Sequence, residues 1–157
     1  MSFEPPPTPD ETLLLTSARR LQCFAAAGKK QLSLRGKNLG LLCDSGDGED
    51  ALRFRRAATD LGARVAHIRP DLSPASSDAD FAETGRMLGR LYDAIECLGL
   101  DTTVVKRLAA AAKVPVYSAI SSRDHPSARL VAQLGASDVF DDCHRFIIQA
   151  VLLSTLN

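Results

Sequence analysis

Four carboxylates crowd into one short segment of this chain: Asp44, Asp47, Glu49 and Asp50, in the run Cys43-Asp44-Ser45-Gly46-Asp47-Gly48-Glu49-Asp50-Ala51. An apolar stretch, Leu39–Cys43, precedes them, and an amphipathic stretch follows. Strand, Gly-containing turn and helix N-terminus in that order form the layout in which α/β proteins hold phosphate, because free helix N–H groups and the helix dipole favour an anion. Acidic side chains do the reverse. A like-charge pair at roughly 4 Å costs about 4 kcal/mol at an effective dielectric of 20. Two uses of the acids stand open. They stabilise the positive end of the helix, by about 0.3–1 kcal/mol each, with Asp47 as N-cap and Glu49 paired with Arg53 at i, i+4. Alternatively they form a site for a cation or an amine, or a partner contact. Their spacing does not fit an EF-hand loop.

Other candidate residues are isolated. His125 opens a helix after a strand, where it is either structural or part of a small pocket, and Asp124 beside it suits an N-cap. Arg53, Arg55 and Arg56 alternate with acids on what reads as a solvated helix face. Arg86 and Arg90, four apart on one helix, read as surface or as an oligomer contact. Cys23, Cys43, Cys97 and Cys143 are far apart with no C-x-x-C pair, so no zinc site and no other cofactor is expected. Three lie in apolar stretches and read as small buried hydrophobes in a reducing, cytoplasmic setting.

Composition narrows the function classes. The chain has 157 residues, 45% of them hydrophobic and 24% charged, which suits one globular domain with a real core. Lys plus Arg and Asp plus Glu are 19 each, so no excess positive charge points to nucleic acid or an anionic membrane. Aromatic residues are sparse at 5%, which argues against base stacking. No basic, apolar, cleavable leader opens the chain, and no apolar run reaches the roughly 18 residues of a membrane span.

The elements that must position these residues follow from periodicity. Residues 1–9, rich in Pro, read as a flexible tail ahead of a domain over 10–157. Leu14, Ala18, Leu21 and Ala25 mark a first helix face, closed by Gly28. Strands are expected at Leu39–Cys43, Arg64–Ile68, Ala94–Cys97 and Pro115–Ile120. Helices are expected with Ala51, Phe54, Ala58 and Leu61 inward, with Phe81, Thr84, Leu88 and Leu91 on one face, over Thr102–Ala112, from His125 to Leu134, and from about Asp142 to Leu156. The last is so apolar that it must be covered on most sides. Strands alternating with helices predict right-handed crossovers and a three-layer αβα domain around a parallel sheet of four to five strands. Ligands in such sheets bind at the carboxyl ends of strands.

Five stretches in order resemble an ornithine carbamoyltransferase of the aspartate/ornithine family: LRGKNLGLL, ATDLGARV, ETGRMLGRLYDAI, VPVYSAISSRDHPSARLVAQL and DVFDDCHRFIIQAVLLSTL. The first four are similar to the family's carbamoyl-phosphate domain and the fifth to its C-terminal helix, which returns to that domain. Family members are about twice this length, and their second domain binds the amino acid. Here Gly135 and Ala136 join the first domain almost directly to the closing helix, so the resemblance implies that the amino-acid domain is absent.

The resemblance also implies a changed site. The family's phosphate run Ser-x-Arg-Thr-Arg stands here as Asp47-Gly48-Glu49-Asp50-Ala51, with both Arg positions lost. Leu98 occupies the place of the Arg that polarises the carbamoyl carbonyl. The family's His-Pro-x-Gln reads His125-Pro126-Ser127-Ala128, keeping the His and losing the Gln. A Gln- and Gly-containing loop is replaced by Ser73-Pro74-Ala75-Ser76-Ser77. The expectation is a chain that is not an enzyme: a carbamoyltransferase-like domain with a degenerate pocket at Asp47, Gly48, Glu49, Asp50, Leu98 and His125. Because three such domains form the family's trimer, the implied partners are further copies or an intact carbamoyltransferase. A small-molecule or cation sensor using the acidic crevice is the alternative, and a residual carbamoyltransferase is a third reading.

Overall fold

A computed structural model describes residues 9–134 and 140–156. Four parallel strands, β1 (Asn38–Leu42), β2 (Arg64–Ile68), β3 (Ala94–Cys97) and β4 (Val116–Ser118), lie in the order β2-β1-β3-β4. Side chains of successive strand residues point to opposite faces, and the buried residues on both faces of the two central strands are apolar except for Glu96. Leu39, Leu41 and Cys43 enter one core with Phe54, Ala58, Ile147 and Leu152. Leu42, Ile95 and Cys97 enter the other with Phe81, Leu88 and Leu108.

Helices cover both faces. On one lie α1 (Pro9–Ala26), α2 (Glu49–Asp60), the single turn α5 (Val131–Leu134) and α6 (Phe140–Leu156). On the other, α3 (Asp78–Leu91) packs on α4 (Thr102–Ala112). The apolar character of α6 has a direct cause: it packs against α1, α2 and α5, burying Cys143, Phe146, Ile147, Ile148 and Leu152. The three-layer arrangement is the expected one, with four strands among the described residues.

Several local expectations are corrected. The buried stripe of α1 is Leu15, Ala18 and Leu21, while Leu14 is half-buried and Ala25 exposed. Leu91 is 57% exposed. Asp47 is not the cap of α2; Gly48 is, with no side-chain hydrogen bond. His125 to Leu134 is not one helix but a 3-10 turn, Pro126–Leu130, running into α5. His125 rather than Asp124 caps that turn. The closing helix starts at Phe140, two residues before the expected Asp142. Most of the tail, residues 1–8, and the junction at Gly135 and Ala136 lie outside the described residues.

α3 and α4 approach closely through two glycines one turn apart. A Cβ on Gly89 would stand 2.2 Å from the Ala112 carbonyl oxygen, and one on Gly85 would stand 2.5 Å from Ala111 Cβ. Gly89→Ala is therefore expected to force the helices apart and cost about 1–3 kcal/mol, despite the better helix propensity of Ala. Urea unfolding checks this; a variant as stable as the parent would show that the contact yields.

Candidate functional site

The order β2-β1-β3-β4 sets where a ligand can sit. From β1 the chain passes to β2 on one side, then crosses back to β3 on the other. The crevice at such a switch point opens at the carboxyl ends of the two central strands. Here it holds about 500 Å³ and is lined by Cys43, Asp44, Ser45 and the start of α2 on one side, and by Leu98 and Gly99 on the other. Gly48, Glu49, Asp50 and Leu98 of the expected pocket meet here. Asp47 does not line the crevice; it is exposed, with its N–H donating to Ser45 Oγ at 3.3 Å. His125 is elsewhere, in a second cleft of about 540 Å³ with Arg123, Arg129 and Phe140.

No lysine, arginine or histidine lines the crevice, and Asp44 and Glu49 are exposed within it. The thiol of Cys43 donates to the Ser45 carbonyl, and burial raises its pKa, so it stays protonated. His67 donates from Nε2 to the Cys43 carbonyl at 2.7 Å and packs beside Gly46. Together these contacts fix the turn. Among the described residues no group of three or more His, Cys, Asp or Glu is placed to hold a metal. The crevice can attract a cation or an amine and repels phosphate.

Beneath the crevice is a buried polar cluster that periodicity did not reveal. Glu96 is fully buried on β3. Its Oε2 accepts from the Ser121 N–H at 2.9 Å and the Ser121 hydroxyl at 3.1 Å, and its Oε1 accepts from the Ile120 N–H at 3.2 Å. Ala119 has φ +56°, a left-handed conformation that costs a non-glycine residue about 1–3 kcal/mol. It precedes two N–H groups that converge on one carboxylate, a small anion nest. Burial outweighs these donors and pushes Glu96 up to about 8.

Arg53 closes the cluster from α2. It is 7% exposed, and it donates to the Ser121 carbonyl at 2.6 Å, to Asp50 at 2.8 Å and to Asp141 at 3.1 Å. This corrects two expectations. Arg53 is not on a solvated face, and its helix partner is Asp50 at i, i+3 rather than Glu49. Asp141 and the Ser121 carbonyl draw it inward. His144 lies fully buried nearby, its ring 5.1 Å from that of Phe140, with neither nitrogen hydrogen-bonded among the described residues. Burial first and Arg53 second hold its pKa down to about 4. A signal for Glu96 did exist: a lone charge inside the apolar strand Ala94–Cys97.

His125 accepts the Ser127 N–H on Nδ1 at 3.1 Å, so its neutral ring carries the proton on Nε2. Burial lowers its pKa. Its role in the 3-10 turn is capping; it does not reach the crevice.

Residues 8–134 match the family model for the aspartate/ornithine carbamoyltransferase carbamoyl-P binding domain. The chain belongs to this family. It is 35% identical over 136 residues to an ornithine carbamoyltransferase of Actinobacillus pleuropneumoniae, covering 87% of this chain and 40% of that protein. A catabolic ornithine carbamoyltransferase of Haemophilus influenzae is 36% identical over 117 residues, covering 74% of this chain and 35% of that protein. The fold is shared with an ornithine carbamoyltransferase of Pyrococcus furiosus, at TM-score 0.66 and 24% identity over 80% of this chain and 40% of that one. It is shared also with the catalytic subunit of M. jannaschii aspartate transcarbamoylase, at TM-score 0.63 and 20% identity over 80% and 41% of the two chains. The chain thus spans about 40% of the length of these relatives. The expectation of a chain that is not an enzyme is overturned, since the relatives it matches are named as enzymes, ornithine carbamoyltransferases. No helix among the described residues is long and apolar enough to cross a membrane.

The cluster sets a pH dependence of stability. Glu96 has a folded pKa of about 8 against an ordinary 4.5, so its contribution is complete below pH 4.5 and lost as pH rises to 8. His144, at about 4 against 6.5, contributes fully above pH 6.5 and loses that contribution as pH falls towards 4. The two oppose between pH 4.5 and 6.5, and Glu96 alone acts from 6.5 to 8. Stability is expected to fall across that upper window by up to about 1.4 kcal/mol per pH unit. Glu96→Gln should flatten the slope in urea titrations; an unchanged slope would place its origin elsewhere.

Proposed function

We propose that this chain acts through assembly: it forms homotrimers, or mixed trimers with an intact carbamoyltransferase, and modulates the activity of the assembly. One contrast carries this reading. Both core layers of the family domain are filled and α6 closes one of them, while the switch-point crevice is lined by carboxylates with no cation. The outer face of α3 supports it as the contact surface. Met87 and Leu91 are 51% and 57% exposed, and Arg86 and Arg90 beside them make no ion pair among the described residues. In a mixed trimer the intact subunit supplies the parts that lie beyond the 40% of its length represented here. Three buried thiols suit a reducing compartment, which we take to be the cytoplasm.

A second reading rests on the crevice itself. Asp44 and Glu49 on a cavity of about 500 Å³ favour an amine-bearing ligand. The two readings separate by location, because Asp44→Asn and Glu49→Gln affect such a ligand and spare the α3 face.

Assembly is tested by co-expressing the tagged chain with a full-length ornithine carbamoyltransferase. A co-purifying complex or a homotrimer is expected, released by Met87→Lys with Leu91→Lys while the circular dichroism spectrum stays that of the folded parent. A 16.8 kDa monomer at micromolar concentration that captures no transferase contradicts the proposal.

A further inference from the structure

A second pocket lies at the far end of α2 from the crevice. The N-terminus of α2 borders the crevice, and its C-terminal residues Thr59 and Asp60 border this pocket. A 12-residue helix puts the two about 18 Å apart. The pocket holds about 320 Å³, within the usual range of small-molecule sites. Its walls come from α1, the segment after it, α2 and α6. Phe24 and Phe146 supply aromatic surface, Lys29, Lys30 and Arg145 supply positive charge, and Asp60 is the one carboxylate among the described lining residues.

Arg145 distinguishes this pocket from a patch of surface cations. Its side chain is 15% exposed, and its Nε is buried with no hydrogen-bond partner among the described residues. It forms a long ion pair with Asp60, whose Oδ2 is 3.6 Å from Nε, too far for a hydrogen bond. The guanidinium carbon sits 5.0 Å from the centroid of the Phe146 ring, and Lys29 Nζ sits 5.9 Å from that of Phe24. A largely desolvated guanidinium, set beside an aromatic ring and offset by one long-range carboxylate, is suited to pairing with an oxyanion.

We infer that this pocket binds a small amphipathic anion, with a carboxylate or phosphate held by Arg145, Lys29 and Lys30 and an apolar body against Phe24 and Phe146. This site does not depend on the assembly role. A bound ligand would join α1, α2 and α6, the helices of one layer.

Thermal unfolding with phenylacetate, phenyl phosphate, benzyl alcohol and inorganic phosphate tests it. At 100 times its Kd, at least one aromatic anion is expected to raise the midpoint by about 5 °C or more. Benzyl alcohol and inorganic phosphate should leave it unchanged. A response to phenyl phosphate alone assigns a phosphate ligand, and a response to phenylacetate assigns a carboxylate. Lys29→Glu with Lys30→Glu, both exposed positions, should weaken binding at least tenfold at an unchanged ligand-free midpoint. Arg145→Gln should abolish it. The inference is overturned if neither aromatic anion shifts the midpoint, if inorganic phosphate shifts it as far, or if the shift survives both sets of variants.

Discussion

Ser121 is gripped from both sides. Glu96 accepts its N–H and its hydroxyl, and Arg53 donates to its carbonyl. Every polar group of one buried residue is thereby committed to a charged side chain or its acid. Three elements meet at that residue: β3 through Glu96, α2 through Arg53, and the loop after β4 through Ser121 itself. Arg53 adds α6 through Asp141. The bonds from Arg53 are charge-assisted, roughly twice as strong as neutral ones. Removing one partner would leave the others buried and unpaired. The left-handed Ala119 is held in this setting, just ahead of the two N–H groups that Glu96 accepts.

This clamp gives the crevice its electrostatic character. Arg53 pairs with Asp50, which lines the crevice, and it is further occupied by Ser121 and Asp141. It is therefore not available to an incoming anion. Asp44 and Glu49 face solvent without a lining counter-charge. The start of α2 borders the crevice, and the helix dipole there is met by the chain's own carboxylates. At the other end of the same helix the charges invert, with Arg145, Lys29 and Lys30 around a single Asp60. A chain of zero formal net charge thus carries an acidic pocket and a basic one, one at each end of α2.

The layers were legible because they depend on local periodicity. The runs Leu39–Cys43 and Ala94–Cys97 could only be buried strands, and the nearly all-apolar α6 could only lie against several elements. What escaped was long-range. Arg53 looks solvated when read along α2 alone, since Ser121 lies 68 residues away and Asp141 88. The cap of α2 was misplaced by one residue because Ser45 holds the Asp47 N–H and turns Asp47 outward. Leu98 and residues 48–50 converge as expected because sheet order places them side by side. His125 does not join them, since its ring is spent on capping the next turn. No pattern of spacing signals the pocket around Arg145, because its walls come from helices far apart in the chain.

The crevice's preference for positive charge is the claim on which the functional reading turns. Thermal unfolding of the intact chain in millimolar carbamoyl phosphate tests it most directly. An acidic crevice with Arg53 already committed predicts an unchanged midpoint. A rise of about 5 °C or more, the shift expected at 100 times a Kd, would mean that this site holds phosphate despite Asp44 and Glu49, and would contradict the electrostatic reading of the site.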